Sequence, residues 1–236
     1  MVRDFNEQAE KLIFAKRLEE ARDLLERAIN AMPAGWKAYR NDGDVISIAA
    51  WDEDDFLGQG GHQELPLTGP RVIWVPDSYS KAWSQLAEIA DRERRFEDAL
   101  SCLEKGLELE PESPTLWCEK GDLLDRMEEP EQALECYERA LKRRSMFGSQ
   151  AIWALRGMAT QLITLGRLLE AESALQDLLK LDPDDEDAFA DLFYLTEIRI
   201  AKMLSEDSKA RAEDHNRSES AAGDVHQDSD TAEIPL

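Results

Sequence analysis

The chain has 236 residues, of which 42% are hydrophobic, enough for a folded core. Its 51 acidic residues against 28 lysines and arginines give a net charge of −23, which repels phosphate backbones and argues against nucleic-acid binding. The charge itself has two interpretations, solubility or attraction to a basic partner.

Membrane, secreted and metal-binding classes are also disfavoured. No apolar run approaches the roughly 18 residues of a membrane helix. The first eight residues, Met1–Gln8, lack the apolar stretch of a signal peptide, so we expect a cytoplasmic protein with no membrane segment. The three cysteines form no CxxC pair and the three histidines have no paired ligand spacing. We therefore expect no disulfide framework, no metal site, no cofactor and no catalytic residues.

Four segments of the chain share one residue pattern with the same internal spacing. Each contains an alanine, then an apolar residue four positions later, a usually small residue three positions after that and, in three segments, a proline five positions further on. A large apolar residue and a small one precede the alanine by 16 and 12 positions. In chain order the sets are Phe5, Ala9, Ala21, Leu25, Ala28 and Pro33; Trp83, Ala87, Ala99, Leu103, Gly106 and Pro111; Trp117, Gly121, Ala133, Tyr137, Ala140 and Ser145; and Leu155, Ala159, Ala171, Leu175, Leu178 and Pro183.

This pattern resembles the tetratricopeptide repeat (TPR), a helix–turn–helix unit of about 34 residues. Small residues let two antiparallel helices approach to about 8–10 Å, while large ones fill the gap to the next repeat. Proline ends the second helix. The resemblance implies an all-α helical-hairpin solenoid, the TPR superhelix, although Leu178 and Ser145 depart from the pattern.

The distances between the marker alanines locate the additional residues. Ala99 and Ala133 are 34 residues apart, which is one regular repeat. Ala133 and Ala171 are 38 apart, so we place about four extra residues in Arg144–Gln150. Ala21 and Ala99 are 78 apart, which predicts an insertion of about 44 residues between the first and second repeats.

The insertion has the periodicity of strands. We expect a small three-stranded β-rich subdomain that packs against the first two repeats, with Trp36, Trp51 and Trp74 in its core. The predicted elements are the strand Trp36–Arg40, the turn Asn41–Gly43, the strand Asp44–Trp51, the short helix Asp52–Leu57, a glycine-rich loop over 58–70 and the strand Arg71–Pro76.

The C-terminal part combines an apolar helix and a polar tail. Acids at Asp184–Asp187 favour a helix start, and the apolar stripe that follows is typical of a helix that caps the last repeat. From Ser205 onward the sequence has too little apolar surface to offset its ordering entropy, so we expect disorder. The predicted organisation is a first repeat over 1–33, the β-rich insertion over 34–79, further repeats over 80–113, 114–147 and 152–185, the capping helix over 186–204 and an acidic tail over 205–236.

In the family that the chain resembles, the first helix of each repeat lines a concave groove that holds a peptide or a helix of another protein. The resemblance therefore implies a non-enzymatic scaffold or adaptor. Glu88, Asp122 and Asp125 on the groove face favour a basic segment, whereas Trp153 there favours an apolar or amphipathic one. The groove residues are Ser84, Glu88, Asp91, Cys118, Asp122, Asp125, Trp153, Arg156 and Thr160.

Some relatives bind the C-terminal carboxylate of heat-shock chaperones. The two acids at the corresponding positions repel a carboxylate, so we expect no chaperone-tail binding here. An alternative is a chaperone-like or enzyme-accessory subunit that contacts its partner through the β insertion. The positions that correspond to the carboxylate-binding residues are Asn6, Glu10, Gln85, Cys118 and Asp122.

Overall fold

A computed structural model describes residues 5–51, 69, 71–75, 78–142 and 148–224. In this part of the chain it confirms a mostly helical fold with a small sheet after the first helical hairpin. The helices are α1 Phe5–Phe14, α2 Leu18–Asn30, α3 Tyr79–Arg92, α4 Phe96–Leu109, α5 Pro114–Arg126, α6 Pro130–Leu141, α7 Gly148–Thr164, α8 Leu168–Leu181 and α9 Glu186–Asp224, and the strands are β1 Tyr39–Asn41, β2 Val45–Ala49 and β3 Arg71–Val75.

Helices α1 to α8 pack as four hairpins, each joined by a three-residue turn. The marker alanines of the second helices Ala21, Ala99, Ala133 and Ala171 are all 0% exposed, as expected for residues that separate two closely packed helices. The spacing pattern of the sequence therefore reports the helix–helix interface of each hairpin.

Each hairpin turn contains one residue in the left-handed region, always five positions before the marker alanine. Their φ angles are 59° at Lys16, 60° at Arg94, 61° at Glu128 and 70° at Gly166. Only Gly166 adopts this conformation without steric cost, because the other three carry a Cβ. The repeat register thus fixes the turn geometry even where the residue type does not favour it.

Tyr137 is enclosed by two glycines. Its ring is 2% exposed and lies against Gly121 on α5 and Gly157 on α7. A Cβ added at Gly121 would lie 2.7 Å from Tyr137 Cε1, and one at Gly157 only 2.4 Å from the same atom. Both positions therefore require glycine while the ring keeps its place.

The four extra residues between the third and fourth repeats lengthen a helix. α7 has 17 residues, whereas α5, the equivalent helix of the preceding repeat, has 13. α7 begins at Gly148, four residues before the predicted start of the fourth repeat at 152. The surplus is thus one additional helical turn at the start of α7. Of the stretch predicted to hold the extra residues, Arg144–Gln150, only Gly148–Gln150 is described, and these three residues are helical.

The predicted three-stranded insertion is present. β1 and β2 form an antiparallel pair in which Tyr39 faces Ile48, and β2 pairs in parallel with β3, with Val45 opposite Arg71. Gly43 forms the turn between β1 and β2 with φ 85°. The predicted short helix and most of the glycine-rich loop fall outside the described residues.

The tryptophans do not form the core of the sheet, which corrects the sequence-based expectation. That core consists of Ile46, Ile48 and Ala50, packed against Tyr39 and Val72. Three strands bury too little area for indole rings, so the tryptophans find other surroundings. Trp51 packs on the apolar cluster of α3, α4 and α5, Trp36 meets the Tyr79 ring edge-on at 5.2 Å, and Trp74 is 43% exposed.

α9 differs from the expected tail. The helix continues to Asp224, although disorder was expected from Ser205. Residues with good helix propensity and local pairs such as Arg211–Asp207, at 2.9 Å, support this helix without a core, since the described side chains from Ser205 onward are exposed. Residues 225–236 lie outside the description, and a capping role for α9 stays a prediction. No helix among the described residues has the length and apolarity needed to cross a membrane.

The enclosure of Tyr137 can be tested with two glycines of one helix. Gly157→Ala should lower the free energy of unfolding by about 1–3 kcal/mol, because the new methyl group overlaps the ring. Gly148→Ala is the matched control, since a Cβ there meets nothing within 4 Å, and it should be neutral or slightly stabilising. Urea denaturation measures both, and equal effects would contradict the packing described.

The docking of the sheet on the repeats can be tested at its tryptophans. Trp51→Ala should cost about 2–4 kcal/mol, because it opens a gap beside the α3–α5 cluster. Trp74→Ala should cost about 1 kcal/mol or less, because its ring is half exposed and loses mainly the hydrogen bond from Nε1 to the Ala50 oxygen, 2.9 Å long. A larger loss for Trp74→Ala in thermal or urea unfolding would show that Trp51 does not anchor the sheet.

Candidate functional site

The first helices of successive hairpins, α1, α3, α5 and α7, are joined by polar contacts between neighbouring helices. Asn6 on α1 donates to the Ser78 oxygen at 2.9 Å, and Gln85 on α3 donates to the Asn6 oxygen at 3.0 Å. Gln161 on α7 donates to Asp125 on α5 at 2.8 Å. The polar face that the sequence predicts for ligand binding is therefore partly used to hold neighbouring repeats together.

A cavity of about 140 Å³ opens between α3 and α5, against α4. Four of the predicted groove residues, Ser84, Glu88, Asp91 and Asp122, lie around it. The remaining lining residues are Ala87, Ala99, Leu103, Glu119, Leu123 and Arg126.

Glu119 is the functional candidate that the sequence register missed. Its Oε1 accepts a 2.9 Å hydrogen bond from Ser84, while Oε2 is shielded from solvent and accepts no hydrogen bond within the described chain. Burial raises the pKa of Glu119 to about 7, the Ser84 hydrogen bond opposes this shift, and the charges of Glu88 and Asp122 add to it. Glu119 therefore changes charge near neutral pH.

Asp122 has structural partners on two other helices. Its Oδ1 accepts a 2.6 Å hydrogen bond from the Tyr137 hydroxyl, and its Oδ2 accepts one of 3.1 Å from Trp153 Nε1. Burial raises the pKa of Asp122, and these two hydrogen bonds counteract the rise. Trp153 is thus a half-buried contact between α7 and α5, with its polar edge already engaged.

The other predicted acids of the groove are closer to solvent. Glu88 pairs with Arg92 at 2.6 Å, and Asp91 pairs with Arg126 at 3.0 Å. Asp125 is exposed, and its Oδ1 accepts a hydrogen bond from the neutral side-chain amide of Gln161. These surface pairs exchange readily with water and with other charges, so the carboxylates stay available to a cationic ligand.

Arg156 and Thr160 are engaged within the fold. Arg156 forms an ion pair with Asp185, which is 7% exposed and also accepts a 3.0 Å hydrogen bond from the Ala188 amide. Burial raises the pKa of Asp185, but the Ala188 amide and the Arg156 guanidinium outweigh it and hold the pKa below its usual value. Thr160 donates to the Arg156 carbonyl at 3.1 Å and is exposed.

Cys118 does not line the groove, which corrects its assignment. The side chain is 0% exposed in the cluster with Tyr137, and burial raises the pKa of its thiol. Successive helical residues point about 100° apart, so the neighbouring Glu119 faces the cavity in its place. Asn6 and Gln85 are likewise buried, at 1% and 5% exposure, and hold α1 to α3.

Neither an activated thiol at Cys102 or Cys136 nor a metal-binding group is found among the described side chains. Burial raises the pKa of Cys102 and brings that of Cys136 to about 11, so neither thiol is an activated nucleophile. Within the described part of the chain, no group of three or more His, Cys, Asp or Glu side chains is placed to hold a metal ion.

Comparisons with known proteins concern the region of this cavity and the repeats around it. Two family models, both described as tetratricopeptide repeat, match residues 80–123 and 118–186. A search of curated proteins found no match.

Three solved structures are similar to the chain in fold. PilF of Pseudomonas aeruginosa has a TM-score of 0.59 at 11% identity, covering 86% of this chain and 71% of PilF. MamA has a TM-score of 0.55 at 12% identity, with 89% and 96% coverage. YrrB has 0.52 at 17% identity, with 83% and 76% coverage. At such identities the likeness establishes the fold alone.

The buried carboxyl of Glu119 makes stability depend on pH. Its raised pKa means that the folded chain holds this proton more tightly than the unfolded chain, so its ionisation destabilises the fold as pH rises from about 4.5 to 7. Glu119→Gln keeps the shape and removes the charge. The variant should exceed the wild type in free energy of unfolding at pH 8 by up to about 3 kcal/mol and match it below pH 5. Urea denaturation at both values measures the difference, and a constant difference would show that Glu119 does not titrate in this range.

Proposed function

Because residues 80–186 belong to the tetratricopeptide-repeat family, we propose that the chain is a non-catalytic protein-interaction scaffold whose first-helix groove binds an extended basic segment of a partner. The observation that carries this proposal is the cavity between α3 and α5, where the buried Oε2 of Glu119 lies among Glu88, Asp91 and Asp122. A buried carboxylate is costly without a compensating partner, and a cationic side chain supplies one.

The charge balance of this face favours a basic ligand. The acids on α3 and α5 outnumber the basic groups paired with them, and the chain as a whole carries −23. A surface of one sign raises the association rate of an oppositely charged segment and disfavours acidic competitors. The acids are Glu88, Asp91, Glu119, Asp122 and Asp125, and the basic groups are Arg92 and Arg126.

The size of the cavity favours an extended ligand. Its volume of about 140 Å³ accommodates one inserted side chain, and a helix would need a longer apolar trough. Trp153 is half-buried and bonded to Asp122, which weakens the competing idea of an apolar anchor at that position. YrrB, which shares the fold, is described as a TPR protein with an unusual peptide-binding site, and this supports peptide binding as a use of the architecture.

The β insertion is a second candidate surface. Trp74 is 43% exposed on β3, and a separate cavity of about 230 Å³ lies among Trp36, Lys37, Arg40 and neighbouring residues. The exposed indole of Trp74 and a separate cavity with two basic side chains suit a partner that carries acidic and apolar groups. In that case the chain would act as an accessory subunit, and the groove residues would not determine its affinity for the partner protein.

A synthetic decapeptide of alternating alanine and lysine provides a direct test of the groove. Glu88→Gln combined with Asp125→Asn should weaken its binding about 3- to 10-fold at low salt, because each lost exposed charge pair contributes about 0–1 kcal/mol. The difference should shrink at 0.5 M salt, where screening is stronger. Fluorescence anisotropy of the labelled peptide gives the affinities.

The matched control replaces Glu97 and Glu108 on α4, which are exposed and outside the cavity lining, by glutamine. This control variant and the groove variant each remove two negative charges. A difference in their peptide affinity therefore reports where the charges lie and not how many were removed. The groove proposal is wrong if both double variants lose affinity equally. A decapeptide of alternating leucine and glutamate tests the β insertion: if it binds, and its binding is lost in Trp74→Ala but kept in the groove variant, the insertion is favoured instead.

A further inference from the structure

Resting on the proposed function, we infer that the cavity between α3 and α5 is a subsite for one lysine side chain of the partner segment, with the buried Oε2 of Glu119 as its acceptor. Three features of the cavity support this: its volume, the hydrogen bonds that its carboxylates already make, and the contacts of the nearby basic side chains of the chain itself.

The volume fits a single side chain. At about 140 Å³ it is close to the roughly 150 Å³ of an engineered protein cavity that holds one benzene molecule. Its walls combine the methyl and methylene groups of Ala87, Leu103 and Leu123 with carboxylates. A lysine suits such walls, because its four-carbon stem packs on apolar groups while its ammonium reaches a charged one.

The acceptor pattern distinguishes lysine from arginine. A guanidinium binds best when both oxygens of a carboxylate accept its parallel N–H groups. In Glu119, Oε1 already accepts the Ser84 hydroxyl, so only Oε2 remains without a hydrogen bond among the described residues. An ammonium is a compact charge that needs one such oxygen and has two further donors for neighbouring carboxylates. Asp122, about one turn further along α5, lines the same cavity.

The basic residues of the chain near the cavity are committed to other groups. Lys81 Nζ donates to the Trp51 carbonyl oxygen at 3.1 Å. Arg92 contacts Glu88 at 2.6 Å, and Arg126 contacts Asp91 at 3.0 Å. None of these three groups donates a hydrogen bond to Glu119 Oε2, so this oxygen remains available to a cation from another molecule.

Lysine binding in this cavity should depend on pH through Glu119. The charged groups around Glu119 are Lys81, Glu88 and Asp91 on α3 and Asp122 and Arg126 on its own helix, and its pKa is about 7. The carboxylate form, which predominates above that value, attracts the ammonium, and the neutral form does not. Affinity should therefore rise about tenfold between pH 6 and pH 8, where a lysine stays protonated throughout.

The test uses n-butylammonium chloride as the side-chain probe, with n-butanol as its neutral match and n-propylguanidinium as the arginine match. Amide chemical shifts of the full ¹⁵N-labelled chain are followed during titration. Butylammonium should shift the amide resonances of Ser84, Glu119 and Asp122. These shifts should saturate at a lower concentration of butylammonium than of either other probe. Glu119→Gln should weaken butylammonium binding at least fivefold at pH 8. Replacement of the exposed Glu108 on α4 by glutamine should leave this binding unchanged. Equal shifts by butanol, equal binding of butylammonium to Glu119→Gln, or tighter binding of propylguanidinium would each overturn the inference.

A second arm identifies the source of the ammonium. The peptide acetyl-Ala-Ala-Lys-Ala-Ala-amide should shift the same amides, and its norleucine counterpart should not. If butylammonium binds and the lysine peptide does not, the cavity takes a free amine and the assignment to a partner lysine is wrong. The result is separable from the groove proposal, because the alternating decapeptide can bind through Glu88 and Asp125 even if the cavity stays empty.

Discussion

The close approach of paired helices is the constraint on which the rest of this structure depends. Ala21, Ala99, Ala133 and Ala171 leave no exposed surface, and any larger residue there would push a hairpin apart. Tyr137 is the extreme case, since it occupies space that exists only because Gly121 and Gly157 lack side chains. The same arrangement brings its hydroxyl to Asp122, so the packing of the core sets the position of a carboxylate at the cavity.

The polar contacts between first helices explain why the groove has few freely available groups. Successive first helices lie side by side, and their facing polar residues must be hydrogen-bonded once water is excluded. Ser84, Asp122 and Gln161 meet this requirement by contacts to the next or previous repeat. Among the buried acceptors of the described chain that this network leaves without a hydrogen bond, Glu119 Oε2 is the one that belongs to the cavity lining.

Much of the fold could be predicted because it repeats. The marker spacing located the hairpins, the insertion and the surplus before the fourth repeat, since small residues at a helix interface are a steric requirement visible in sequence. The site was less predictable. A register assigns faces to within about one residue, and a helix turns about 100° per residue, so Cys118 was assigned to the groove in place of Glu119. The tryptophans of the insertion were misplaced because strand alternation does not show that a neighbouring helical surface competes for the same ring.

The left-handed residues of the hairpin turns affect how well the repeats tolerate mutation during evolution. Lys16, Arg94 and Glu128 hold a conformation that costs an L-residue about 1–2 kcal/mol, and the fourth turn avoids this cost with Gly166. The turns lie at the edge of each hairpin and none of these residues lines the cavity between α3 and α5. Substitution of glycine at the first three turns would thus offer a reserve of stability separate from recognition. Mutations that reshape the ligand-facing acids at the expense of folding could draw on that reserve.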